Sequence, residues 1–139
     1  MKKIFSLILF AFVILNFTSC KDGSLLSDTY LPDYVELTEN LDHAEIVRLP
    51  ANASDELVVI RSFSYEESLP LIDDFCKIEY TTHYLSLLTT PKWMEGTCLR
   101  IIRNDGEYID YGTTDGVFGR CTNEEEFEAF IAKYTAEES

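Results

Sequence analysis

Apolar and polar positions change period several times along the chain, and the changes mark its elements. Ala44-Glu45-Ile46-Val47-Arg48-Leu49 and Glu56-Leu57-Val58-Val59-Ile60-Arg61 are apolar, β-branched runs on either side of Pro50-Ala51-Asn52-Ala53-Ser54-Asp55. They read as consecutive strands joined by a turn-rich segment. Ser68-Leu69-Pro70-Leu71-Ile72-Asp73-Asp74-Phe75 reads as a short helix capped by Ser68, or else as a loop. In the helical reading Pro70 falls in the first turn, where its missing N–H has no helical partner. From Ile78 to Leu88, Ile78, Tyr80, Thr82 and Tyr84 alternate with Glu79, Thr81 and His83, the period of a strand with one face partly wet.

Between Cys98 and Cys121 two Asp-Gly pairs, Asp105-Gly106 and Asp115-Gly116, punctuate three strand-like runs and predict a β-meander. A three-residue loop with Gly106 in the left-handed conformation places Arg103 opposite Glu107, Ile101 opposite Ile109 and Arg100 opposite Asp110. On the third strand it places Arg120 opposite Asp110. A two-residue turn would instead set Ile101 against Asp110, and cross-strand terms of roughly 0.2–1 kcal/mol per pair favour the longer loop. One face then carries Leu99, Ile101, Ile109, Tyr111, Val117 and Cys121. The other carries Cys98, Arg100, Ile102, Tyr108, Asp110, Phe118 and Arg120.

The chain closes on an amphipathic helix. Thr122 and Glu125 fit a capping box, Glu124, Glu125 and Glu126 suit the positive end of the dipole, and Phe127, Phe130, Ile131 and Tyr134 form one stripe. Strands ending in a helix predict an α+β domain whose open antiparallel sheet is packed by the C-terminal helix. The runner-up is a small closed barrel of the lipocalin-like or staphostatin-like kind.

The first twenty positions follow a different pattern. Lys2 and Lys3 precede an apolar run from Ile4 to Leu15, and small residues lead to Cys20. This is the layout of a secretory signal. About 12 residues make a helix of roughly 18 Å, short of the roughly 30 Å hydrocarbon core, so the run is not a permanent span. Phe17-Thr18-Ser19-Cys20 resembles the lipobox of bacterial lipoproteins of the Bacteroidetes-like kind. The resemblance implies that Cys20 is acylated, with palmitate among its chains, and becomes the first residue of the mature protein. Lys21-Asp22 lacks an acid directly after Cys20, which by the same resemblance implies outer-membrane placement. It is also similar to a short export signal for the outward face, interrupted by Gly23. The implied organisation is a signal peptide over 1–19, a lipidated tether over 20–31 and a single domain over 32–139.

Composition sharpens this picture. The chain has 139 residues, 46% of them hydrophobic, with 11 basic against 25 acidic side chains and a formal charge of −14. Loss of Lys2 and Lys3 with the signal lowers the basic count to 9 and takes the charge to −16. Such a chain repels phosphate backbones and lacks a basic patch for anionic lipid, so nucleic acid is not an expected partner. The apolar content is enough for one packed core.

Candidate chemistry is sparse. Three cysteines remain after acylation, an odd number in an exported protein, so one disulfide from Cys76 to Cys98 or Cys121 is expected. In the meander register Cys98 and Cys121 lie on opposite faces and too far apart to bridge each other. Cys76 and His83 are the nearest thiol and imidazole, but seven residues of strand would hold them about 23 Å apart. His43 and His83 are isolated and form no metal-binding spacing, and no calcium-loop or nucleotide-binding motif is present. No metal or cofactor is expected.

Aromatic residues supply the remaining lead. Tyr108 and Phe118 share a meander face with Arg100 and Arg120, and Trp93 and Met94 sit in the irregular segment before Gly96. Aromatics beside arginine anchor many binding surfaces, unless the C-terminal helix covers that face and makes them core. The expected function is a non-catalytic lipoprotein acting as a binding or accessory module for a protein or glycan. Glu95-Gly96-Thr97-Cys98 resembles the Gly-Thr-Ser stretch of staphostatin-like inhibitors, which implies a second reading as an inhibitor of secreted cysteine proteases. A small hydrolase or thiol enzyme is the third.

Overall fold

The structure is a computed structural model, and it describes residues 27–52, 54–83, 95–114 and 120–136. In chain order the elements are β1 (Ser27–Tyr30), α1 (Tyr34–Thr38), β2 (Leu41–Leu49), β3 (Val58–Ser62), α2 (Tyr65–Phe75), β4 (Tyr80–His83), β5 (Gly96–Arg103), β6 (Tyr108–Gly112), β7 (Arg120–Thr122) and α3 (Glu124–Thr135). They build an α+β fold of two open antiparallel sheets, four-stranded in the order β3-β2-β5-β6 and three-stranded in the order β1-β4-β7. Among the described residues no helix is long and apolar enough to cross a membrane.

The β5–β6 hairpin has the register expected from its turn. Arg100 pairs with Asp110 and Ile101 with Ile109, the Arg103 N–H donates to the Glu107 carbonyl at 2.8 Å, and Gly106 takes a φ of +85°. That left-handed angle is what the three-residue loop requires of its last residue. The third strand departs from the meander. β7 does not lie against Asp110 but pairs with β4, Tyr80 facing Thr122 and Thr82 facing Arg120. β7 meets β6 at its end instead, where the Thr122 hydroxyl donates to the Gly112 carbonyl at 3.0 Å. Of the expected meander faces, Val117 and Phe118 lie outside the described residues.

Two helix boundaries also move. α2 starts at Tyr65, with Ser64 as its cap and Glu67 completing a capping box, so Ser68 lies inside the helix and Pro70 in its second turn. The ring deprives the Glu66 carbonyl of its helical donor. The helix continues because Leu71, Ile72 and Phe75 are buried on its inner side. α3 is capped by Asn123, one residue after Thr122, because Thr122 is spent on the last strand position. The domain also begins earlier than Pro32. Ser27–Tyr30 pairs with β4, and the Tyr30 and Tyr80 rings meet at 5.7 Å, so four of the positions read from sequence as tether form a strand of the fold.

The core lies on one face of the four-stranded sheet. Ala44 and Ile46 of β2, Leu99 and Ile101 of β5 and Tyr111 of β6 face inner residues of both long helices, among them Phe75, Phe127 and Phe130. Ile131 and Tyr134 pack against this core, so the expected apolar stripe of α3 is in place. Phe75 sits at its centre, its ring 4.8 Å from Tyr111, 5.7 Å from Phe130 and 6.4 Å from Phe127. Both helices therefore cover the Leu99, Ile101, Tyr111 face and leave the reverse face to other contacts.

Candidate functional site

The reverse face is built by register. Two rows of paired positions cross β2, β5 and β6 on that side, Glu45–Arg100–Asp110 and His43–Ile102–Tyr108. Alternation along each strand brings the rows together as neighbours two residues apart. Arg100 donates twice to Asp110, Nε to Oδ1 at 2.9 Å and an Nη to Oδ2 at 2.9 Å. Both side chains are largely withdrawn from solvent, at 15% exposure each. The same guanidinium lies 3.9 Å from the centre of the Tyr108 ring, which is 55% exposed. Tyr108 thus sits on a fixed cation and offers its remaining surface to solvent.

His43 extends the array. Its Nδ1 lies 2.6 Å from an Asp42 carboxylate oxygen and its Nε2 lies 3.3 Å from a Glu45 oxygen. Burial works to lower the imidazole pKa, but the hydrogen bonds to Asp42 and then Glu45 outweigh it and hold the value above the ordinary one. The half-buried histidine is therefore biased towards its charged form. The sequence treatment of His43 as isolated missed this arrangement. The signal was the spacing Asp42-His43-Ala44-Glu45, which on a strand puts His43 and Glu45 on one side.

Below the array, Val47, Leu49 and Cys98 form a second buried cluster with Leu57 beside it, and among the described residues no helix contributes to that cluster. Cys98 is fully buried there. Cys76 sits at the C-terminal cap of α2, packed against the main core on the opposite side of the sheet. Both thiols are free, so the bridge expected from Cys76 is not formed. The sheet itself lies between Cys76 and Cys98. Burial pushes the Cys98 thiol up to about 12, and burial followed by the Asp73 and Asp33 charges pushes Cys76 up to about 11.

Of the other candidate residues, Gly96 is the one whose surroundings are described. Gly96 opens β5 at a φ of +91°, so its place there is a backbone requirement met by glycine. Cys20, Trp93, Met94 and Phe118 lie outside the described residues, as does the side chain of Cys121. Among the described residues no group of three His, Cys, Asp or Glu side chains is placed to hold a metal ion.

A cleft of about 290 Å³ lies elsewhere, bounded by Arg61, Phe63, Pro70, Lys133 and Tyr134. Its two cations are already engaged. Arg61 donates to the Tyr134 carbonyl at 2.9 Å, and Lys133 pairs with Asp74. Asp74 also accepts from the Tyr134 hydroxyl at 2.6 Å and from Lys77 at 3.0 Å, which ties α2 to α3. Comparison with protein-family models, with curated proteins and with solved structures finds no match for this chain.

Proposed function

We propose that this protein is a non-catalytic lipoprotein, anchored in the outer membrane through Cys20, that binds a protein or glycan with the reverse face of its four-stranded sheet. The observation that carries the reading is Tyr108, more than half exposed and seated on the Arg100–Asp110 pair. A ring held from beneath loses little freedom on binding, and the ordering of its arginine is already done in the free protein. Tyrosine and arginine are the side chains most often found to dominate protein interfaces. The same ring, with Asp110 and Glu45 as acceptors, also suits the C–H face and hydroxyls of a sugar. The surrounding charges are mutually paired, which favours recognition over proton transfer. The anchor is supported by the basic start, apolar run and Phe17-Thr18-Ser19-Cys20 box.

Two experiments test this reading. Palmitate labelling should mark the wild-type protein and fail for Cys20→Ser, and label retained by Cys20→Ser overturns the anchor. Affinity capture from outer-membrane extracts should recover a partner with the wild-type protein that Tyr108→Ala loses. Equal recovery by Tyr108→Ala, with loss confined to Trp93→Ala, would move the contact site to the segment before Gly96.

A further inference from the structure

We infer that the corner of the domain formed by Leu31, Tyr34 and Val35 rests on the lipid interface of the membrane that carries the anchor. The inference rests on the lipoprotein reading. Four large apolar side chains are exposed within six consecutive positions: Tyr30, Leu31, Tyr34 and Val35, with Leu31 at 58% and Val35 at 74%. The local fold holds them outward. Asp33 caps α1 by accepting from the Val35 and Glu36 N–H groups at 2.8 and 3.2 Å, and Leu37 is the residue that α1 turns into the core.

The occupant follows from where the chain enters the domain. β1 begins at Ser27, seven residues after Cys20. Even fully extended, that span reaches about 23–25 Å, so Ser27 stays within that distance of the headgroups, and the exposed corner from Leu31 to Val35 follows it directly after the four-residue β1. Tyrosines with an apolar body and a polar tip are the residues that settle at that depth, beside aliphatic side chains that enter it. Asp28, Asp33, Glu36 and Glu39 flank the corner. Attraction to anionic lipid is therefore excluded, and the contact is apolar and requires headgroups of low net charge.

The chain contains one tryptophan, Trp93, which gives a clean probe. Acylated full-length protein carrying Trp93→Phe with Val35→Trp is reconstituted into phosphatidylcholine–phosphatidylethanolamine vesicles whose acyl chains are brominated. Val59→Trp in the same background is the control, being an exposed apolar position on the edge of the other sheet. Tryptophan at 35 should lose about half its emission or more relative to unbrominated vesicles, while tryptophan at 59 keeps its own. Tyr34→Trp provides a second reporter should the Val35 variant fold poorly, and addition of anionic lipid should weaken the quenching. Palmitate incorporation without quenching at 35 or 34, or with equal quenching at 59, overturns the lipid contact and leaves the anchor standing. Emission at 35 that shifts with protein concentration but is not quenched assigns the corner to a second copy and also overturns it. Absence of palmitate overturns the anchor and the contact together.

Discussion

The Ser68 hydroxyl accepts the Ala44 N–H at 2.9 Å and donates to the Ser64 carbonyl at 2.7 Å. One fully buried side chain thereby fastens α2 to the central strand β2 and satisfies a strand donor that no ladder bond reaches. Ser68→Ala removes the acceptor and leaves a buried N–H without a partner. A loss of about 1–3 kcal/mol is expected, read as a lower urea midpoint at unchanged slope. A midpoint within error of wild type would mean that the sheet tolerates the orphaned donor.

Phe75 is the point where both long helices meet the sheet, since its ring touches those of Tyr111, Phe127 and Phe130. Phe75→Ala opens a cavity among groups that cannot all close on it, at a cost of about 3–5 kcal/mol. Against a total stability of about 5–15 kcal/mol this leaves a marginal or unfolded chain. Circular dichroism and thermal melting check this, and Phe75→Leu should recover part of the loss.

Asp74 predicts the acid behaviour. Lys133, then Tyr134 and Lys77, hydrogen-bond its carboxylate and hold the pKa well below the usual carboxylate range. A folded value below the unfolded one contributes stability in full above about pH 4 and loses it as the pH falls through the folded value. Asp74→Asn should therefore be less stable than wild type at pH 7, and the gap should narrow as the pH drops below about 4. Chemical denaturation at stepped pH reads this directly. A gap independent of pH would show that the ion pairs contribute nothing to the linkage.

The two described thiols should be inert in the folded protein. With Cys98 pushed to about 12 and Cys76 to about 11, the thiolate fraction at pH 8 is very small. Mass spectrometry after brief alkylation at pH 8 should find both unmodified in native protein and both modified in urea. Rapid native modification of Cys76 would indicate opening of the α2 terminus.

The hairpin between β5 and β6 was legible because its determinants are local. Asp105-Gly106 imposes the turn, and the turn fixes which charges and which aliphatic side chains face each other. The α3 stripe was legible for the same reason, since helical period acts over a few residues. The binding face was legible in part. Tyr108 and Arg100 share a strand face in the three-residue register that Asp105-Gly106 and its cross-strand pairs select, whereas the pairing of Glu45 and His43 with them depends on β2 lying beside β5, across more than fifty residues of chain.

What the sequence by itself determined was the α+β class, the acidic charge, the β5–β6 register, the amphipathic C-terminal helix and the signal-like start. Only the tertiary structure decided that β7 leaves β6 for β4, that Ser27–Tyr30 is a strand, and that the helices cover one sheet face and leave Tyr108 exposed. The physical reason is one of range. Turn chemistry and periodicity are written in adjacent residues, but the choice of strand partner is settled by the sum of many small pairing and burial terms between distant segments. β4 accepts ladders on both of its edges, and three-residue β7 has too little local preference of its own to refuse that position.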